Sequence, residues 1–395
     1  MSFMNKITGC FYLHGRITLV LCFIISVFAL HACNGEFHSE YANLPHKGQK
    51  DITIISLNAD TLFLDASSTS FEGQWYLHDG RFIFADYSLI GVREFDLNGN
   101  FVARHIQKGR GTNEWHSPFV SITYSKGDLI GIDGSWIIQV FDSLYQRRYS
   151  PYTLLSDIYY DEQDWNKLLR KPNVETTHMY SFNLDSRALS VLGDNLIIPV
   201  VTEHIDYNGY YGSSRKDFWE KSYIYLMVDY NSQKTGNKFG KYPPIYQTKN
   251  IPAFSIYSFD QLKSQLFTSF AADSLIYIHD QNGKLIYSFG YDAPGMKRDY
   301  PETESFEEFT KVFRDHLKRH SYYTQIKVAD PYIFRCFKRE EDLGYGMQIY
   351  KDYDLIGEIL MEERLVMLGV YENVYYGVLP VNYETELFRI IRFKL

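Results

Sequence analysis

From residue 51 onward, apolar residues come in short runs separated by turn residues. The clearest stretch is GQWYLHDGRFIFADYSLIGVREFDLNGNFVARHI (73–106), with apolar-rich runs at 73–77, 81–86, 91–96 and 101–106. Asp79-Gly80, the residues from Ser88 to Gly91, and Asn98-Gly99 stand between them. Asn-Gly between two apolar runs is the strongest short hairpin signal, because both turn residues need positive φ. The same unit returns at 121–150, at 187–204 with 222–242, and at 265–290, where Asn282-Gly283 repeats the turn. It returns again at 324–340 with 345–360, and at 364–380 with 385–395.

Units of four short strands predict an all-β fold, a six-bladed β-propeller spanning 51–395. One four-stranded sheet cannot bury both of its faces, whereas sheets stacked radially bury them against each other. A pair of β-sandwiches is the rival, but the recurring FD…G hairpin favours the propeller. The last unit offers about three strands before Leu395, while DITIISLNADTLFLD (51–65) has no unit of its own. This N-terminal segment is therefore expected to close the last blade, with Ile52, Ile54, Leu62 and Leu64 facing neighbouring sheets.

Two segments follow a helical period and predict short insertions. SFEEFTKVFRDHLKRH (305–320) lines up Phe306, Phe309, Phe313 and Leu317 on one face. Ser305 and Glu308 form a capping box, and Lys318, Arg319 and His320 suit the negative end of the helix dipole. DEQDWNKLLRKP (161–172) predicts a shorter helix stopped by Pro172.

The beginning of the chain reads differently. Lys6 and Arg16 precede ITLVLCFIISVFAL (17–30), an uncharged apolar run shorter than a usual membrane span. Leu30-His31-Ala32-Cys33 follows and resembles a bacterial lipobox, with His31 where a small residue is usual. The expectation is a signal peptide over 1–32, lipidation of Cys33, and a polar tether over 33–50. That places the protein in the cell envelope, on the outer membrane or a periplasm-facing membrane, with the lipid as its membrane partner.

Composition narrows the function classes. The formal net charge is −8, and cleavage before Cys33 would remove Lys6 and Arg16 and take it to −10. Such a surface argues against nucleic acid and against electrostatic binding to anionic lipid. Of four cysteines, Cys10 and Cys22 leave with the signal and Cys33 carries lipid, so Cys336 stands alone without a disulfide partner. Its setting, YIFRCFK, reads as an apolar strand and as core.

The hairpin VREFDLNGNFVARHIQKGRGTNEW is similar to one found in six-bladed, TolB-like propeller lipoproteins of Bacteroidetes. Phe95, Asp96, Gly99, Phe101, Val102, Gly109, Gly111 and Glu114 match its pattern, and Thr112 stands where proline is usual. YYTQIKVADPYIFRCFKR (322–339) also resembles a strand pair of related propellers. The resemblance covers roughly 33–395 and implies a fold and an envelope address. Its motifs are mostly turn and packing residues, so it implies no activity.

No G-x-S-x-G, H-E-x-x-H, P-loop or dinucleotide fingerprint occurs. DLNGN (96–100) and DQNGK (280–284) lack the spacing of a calcium loop and read as hairpin turns. No cofactor, metal site or catalytic residue is assigned. In the loop 107–116, Arg110, Glu114 and Trp115 read as structural: an Arg110–Glu114 contact stapling a crossover, with Trp115 packed between blades. The longer EHIDYNGYYGSSRKDFWEK (203–221) interrupts the third unit and is rich in Tyr, Trp, Gly and Ser, a mixture suited to contact surfaces. His204, Asp206, Tyr207, Tyr210, Tyr211 and Trp219 are its candidate ligand-binding residues. The expected function is a non-catalytic binding propeller for an envelope protein, a peptide or a glycan. The alternative is a metal-dependent hydrolase or lactonase with its site in the central channel, which would need convergent carboxylates and Asn or His from several inner strands.

Overall fold

The computed structural model describes residues 40–54, 58–65, 67–115, 117–154, 170–202, 204, 207–210 and 215–395. The helix expected at 161–172, the signal peptide and Cys33 lie outside the described residues or nearly so. The chain divides into residues 1–43, of which 40–43 form a turn, and a compact body, 44–395.

The body is a six-bladed β-propeller. Two strands, β1 (Lys50–Ile54) and β2 (Ala59–Asp65), precede the first blade. Blade one is β3 (Gly73–His78), β4 (Arg81–Asp86), β5 (Gly91–Phe95) and β6 (Phe101–Gln107). Blade two is β7 (Phe119–Ser125), β8 (Asp128–Asp133), β9 (Ile137–Phe141) and β10 (Tyr152–Thr153). Blade three comprises β11 (Tyr180–Phe182), β12 (Ser190–Leu192), β13 (Asn195–Thr202), β14 (Tyr225–Asp229) and β15 (Lys234–Phe239). Blade four is β16 (Tyr257–Leu262), β17 (Gln265–Phe270), β18 (Ile276–His279) and β19 (Leu285–Phe289). Blade five is β20 (Tyr322–Ala329), β21 (Tyr332–Lys338), β22 (Tyr345–Lys351) and β23 (Asp354–Met361). Blade six is β24 (Val366–Tyr371), β25 (Val374–Asn382) and β26 (Leu387–Phe393). Among the described residues, three α-helices decorate the ring: α1 (Arg215–Lys221), α2 (Pro244–Thr248) and α3 (Phe306–Arg319).

Ring closure follows the pattern of the sequence. β2 runs antiparallel to β26, from Ala59 opposite Phe393 to Asp65 opposite Leu387, and becomes the outer strand of blade six. Leu64 is fully buried among Phe82, Phe84, Phe388 and Ile390, which joins blade six to blade one. β1 goes elsewhere: it pairs parallel to β23 and adds a fifth strand to blade five, where Ile52 packs. The end of the expected tether also belongs to the body. Ser288 N–H donates to the Pro45 carbonyl, Lys47 N–H to the Ser288 carbonyl, and Tyr291 Oη to the Gly48 carbonyl.

The hairpin turns explain the repeated Asp-x-Asn-Gly. Asp96 Oδ1 accepts from the amides of Asn98 and Asn100, each at 2.9 Å, and Gly99 has φ +88°. Asp280 does the same for Asn282 and Lys284, with Gly283 at φ +81°. Each aspartate is the clamp of its own turn, as expected of a hairpin.

Between blades the core is aromatic, and buried Arg335 shows how a charge is held there. Arg335 is buried under the Tyr323 ring, 3.3 Å from its centroid. Its Nε donates to Ser269 Oγ at 2.8 Å and its terminal nitrogens donate to the carbonyls of Asp273 and Ser274, so it ties blade five to blade four. Removing one such partner would leave a buried polar group unpaired, the costly case. Cys336 is core as expected, and burial pushes its thiol up to about 12.

Candidate functional site: an aromatic cleft beside the channel

The loop after β6 is architecture. Trp115 is fully buried, with its ring 4.6 Å from Phe119 and 5.8 Å from Phe141, in the cluster between blades one and two. A Cβ on Gly131 would stand 2.5 Å from Trp115 Cη2, so that glycine makes room for the indole. The loop is held by Gly109 N–H to the Trp115 carbonyl and Trp115 N–H to the Gln107 carbonyl. The expected Arg110–Glu114 contact is not what staples it. Glu114 Oε2 accepts from the Gly111 amide at 2.6 Å, Arg147 donates to the Glu114 carbonyl, and Arg110 is exposed. A backbone amide a short step away competes better for the carboxylate than a long, solvated guanidinium.

At the centre of the ring the first strands of the blades pack side by side around a channel of about 730 Å³. Several polar groups here join neighbouring blades. Gln325 Nε2 donates to the Met367 carbonyl at 2.9 Å, and its Oε1 accepts from the Met367 amide at 2.8 Å. Asp260 Oδ2 accepts from the Val328 amide at 2.8 Å and pairs with Lys327 at 3.1 Å. Tyr76 Oη donates to the Ile122 carbonyl at 2.7 Å.

Blade three breaks this regularity. Its inner strand is split: β11 pairs with Val200–Thr202 of β13 and β12 with Asn195–Ile197. Between them residues 183–189 leave the sheet and reach the channel lining. Asn183 organises the excursion, its Oδ1 accepting from the amides of Asp185 at 3.0 Å and Ser186 at 3.2 Å. Ser186 Oγ accepts from Tyr257 N at 3.3 Å and ties the excursion to blade four. Leu184 and Asp185 thereby line two spaces, the channel and a second cleft beside it.

That cleft measures about 460 Å³. Its walls are Phe182, Tyr210, Phe218, Trp219, Tyr242 and Phe306, with Asn183, Asp185, Thr202, Asn208 and Ser255 among the polar lining. Trp219 forms the deepest aromatic contacts, with ring centroids 4.7 Å from Phe218, 4.8 Å from Tyr242 and 5.5 Å from Tyr246. Its Nε1 donates to Asn250 Oδ1 at 2.9 Å, and Asn250 Nδ2 in turn donates to the Thr303 carbonyl just ahead of α3. Gly209 lies against this indole, and a Cβ there would meet Trp219 Cζ2 at 2.6 Å. Tyr210 is half-buried, 5.3 Å from Phe306 and 4.7 Å from Phe309.

Helix α3 supplies the outer wall. Ser305 Oγ accepts from the Glu308 amide at 3.1 Å, as the capping box predicts, but Glu308 Oε2 reaches the Glu304 amide at 2.8 Å rather than that of Ser305. The C-terminal end is capped from outside the helix: Lys338 Nζ, on blade five, donates to the carbonyls of Lys318 at 2.6 Å and His320 at 3.3 Å. No residue of the helix is buried, although Phe306, Phe309, Phe313 and Leu317 share its apolar face. Phe306 reaches the cleft and Leu317 the channel, so the helix lies over both.

Of the expected ligand-binding residues, Tyr210 and Trp219 line the cleft. Tyr207 is buried, its hydroxyl donating to the Asp217 carbonyl at 2.8 Å, and His204 is buried behind the loop. Neither belongs to the lining, and Asp206 and Tyr211 lie outside the described residues. Asp185, Tyr242 and Phe306 come from other parts of the chain and carried no local signal. The one legible hint was the helical stripe that begins at Phe306.

Asp185 is the charged group at this cleft. It is exposed at the rim, and crowding by its surroundings raises its carboxyl above the usual range, with Arg187 pulling the other way. Tyr210 is pushed up to about 12 by burial and by the charge of Asp185, and Tyr242 is raised well above its ordinary value by burial, with Tyr210 and Asp185 adding to it. Asp185 shares the cleft lining with both tyrosines. Among the described residues no group of three or more His, Cys, Asp or Glu side chains is arranged to hold a metal ion.

Fold and cleft define a β-propeller with a small-ligand-sized cavity beside its channel. A member of the DUF4221 family from Bacteroides vulgatus is similar in fold, with TM-score 0.64 and 13% identity over 88% of this chain and 99% of that one. A protein of Bacteroides fragilis described as a candidate exported protein is similar with TM-score 0.52 and 12% identity, over the same shares of the two chains. No protein-family model and no curated protein matches the sequence. At these identities the likeness is one of fold.

Proposed function

We propose that this chain is a lipid-anchored protein of the cell envelope whose propeller binds a ligand without transforming it. The observation that carries the reading is the cleft itself. It is built largely by the excursion 183–189, residues 208–210, helix α1 and helix α3, pieces that the closed ring does not need. Ligand sites are typically concave, largely apolar and set with a few polar groups, in the size range of this cavity. The order of basic residues, apolar run and Cys33 supports export and lipidation, as does the resemblance to TolB-like envelope lipoproteins. The channel offers less to the catalytic alternative, because Asp260 and Gln325 already serve their neighbours.

Calorimetric titration of the soluble domain with peptides and glycans tests the binding claim. Tyr210→Ala is expected to abolish or strongly weaken binding at an unchanged melting temperature, since Tyr210 is only half-buried. Binding unaffected by this change would place the ligand elsewhere. Cys33→Ser is expected to release soluble protein or leave an unprocessed precursor. Normal processing with full membrane retention would remove the lipid claim.

A further inference from the structure

The cleft combines two features that specify a kind of ligand. Its walls are aromatic rings, and its rim carries one carboxylate. Apart from the tyrosine hydroxyls, the other polar side chains of the lining are engaged within the protein. Thr202 Oγ1 donates to the Tyr207 carbonyl at 2.9 Å, Asn208 Oδ1 accepts from the Tyr210 amide at 2.8 Å, and Ser255 Oγ donates to the Pro252 carbonyl at 2.8 Å. Asn183 is spent on its own turn. Asp185 differs, for among the described residues no cation forms an ion pair with its side chain. Arg187, two residues on, is turned aside: its Nε donates to the Leu184 carbonyl at 3.0 Å and its guanidinium lies 5.5 Å over the Tyr87 ring.

From this juxtaposition we infer that the cleft takes a small organic cation, an ammonium group carried on an apolar body. The rings present negative faces that attract a cation and also cover its hydrocarbon part. Asp185 supplies the compensating charge at the rim. An anionic ligand would meet the carboxylate as a like charge and find no cation among the described residues of the lining. A neutral ligand would gain the rings and their hydroxyls but no charge pairing. The acidic balance of the chain, −8 overall, favours approach by cations.

This inference rests on the cleft being the binding site, and the experiment separates the two claims. Phenethylammonium, 2-phenylethanol and phenylacetate are similar in size and differ in charge. Each is titrated calorimetrically, at low salt, into the soluble domain and into Asp185→Asn and Tyr210→Ala. Phenethylammonium is expected to bind about tenfold more tightly than the alcohol, the scale of one cation–ring or charge contact. Asp185→Asn is expected to bring it down to the level of the alcohol and leave the alcohol unchanged. Tyr210→Ala is expected to weaken both. Equal binding of cation and alcohol, or of cation and phenylacetate, overturns the cationic class. If Tyr210→Ala still weakens them, the cleft stands as a site. Cation preference that survives Asp185→Asn also overturns the assignment. Failure of all three probes to bind overturns both claims.

Discussion

Two tryptophans, Trp115 and Trp219, end two excursions of similar character, each rich in glycine and charge, and each indole lies against a glycine. Trp115 is enclosed by residues of blades one and two, and nothing is left open on any side. Trp219 is just as buried, yet one side of its surroundings is a cavity. The difference lies in what faces the ring. Trp115 meets strands adjacent in sequence, whose pairing fixes their distance. Trp219 shares its cavity with Phe306 of α3 and with Asn183 and Asp185 of the excursion 183–189, which no strand ladder pulls inward. A ring becomes part of a site when the far wall is held off by its own anchors, here Ser305, Lys338 and Asn183.

The contrast breaks first on stability. Trp115→Ala removes a wholly packed indole and is expected to cost about 4 kcal/mol in urea unfolding. Trp219→Phe keeps most of the volume and loses the bond to Asn250, so about 1 kcal/mol is expected, together with weakened ligand binding. Equal losses from the two, or a stable Trp115→Ala, would erase the distinction.

A third buried ring extends the comparison to pH. His279 lies between Tyr225 and Phe239, with ring centroids 6.2 and 5.6 Å away, and burial lowers its pKa to about 4. The unfolded chain takes up that proton near pH 6.5 and the folded chain resists until about 4. The stability from keeping it neutral is therefore complete above 6.5 and is lost as pH falls towards 4, about 3 kcal/mol in all. Melting curves from pH 7 to 4 should fall more steeply for the wild type than for His279→Phe. Parallel curves would show that His279 is not enclosed.

Gly209→Ala should disturb the cleft more than the fold. The added methyl pushes on Trp219, and about 1–3 kcal/mol is expected, with reduced ligand affinity. Smallest, and opposite in sign, is Asp185→Asn. Its carboxyl pKa is raised on folding, so stability falls as pH rises through that value, and the ionised group costs stability at neutral pH. A slight rise in melting temperature is expected at pH 7 and none at pH 3. A fall at pH 7 would mean that the carboxylate has a structural partner.

The ring was legible because its determinants are local. Asn98-Gly99 and Asn282-Gly283 announce their hairpins, and unpaired residues 51–65 announce closure. The inner strand of blade four, YSFDQL (257–262), escaped notice because its polar residues reach across to the next blade: Ser258 and Asp260 accept from the amides of Ile326 and Val328. Strand β1 was read together with β2, since nothing in a single run of residues says that its two halves join different blades. The cleft was legible only at Tyr210 and Trp219. Asp185 sits in a turn that looks like any other, and its importance comes from Phe306 and Tyr242, brought to it by the ring.

The pairing of β2 with β26 also sets an order in time. β2, made early, stays without its partner until residues 387–393 have been made, and blade six cannot seal against blade one before then. A nascent chain thus carries an open edge and exposed rings until β26 has been made. A product cut short before Leu387 keeps that edge, and a protease can tell it from the finished protein. β26 acts as a proofreading mark: only a chain that has reached it can cover β2.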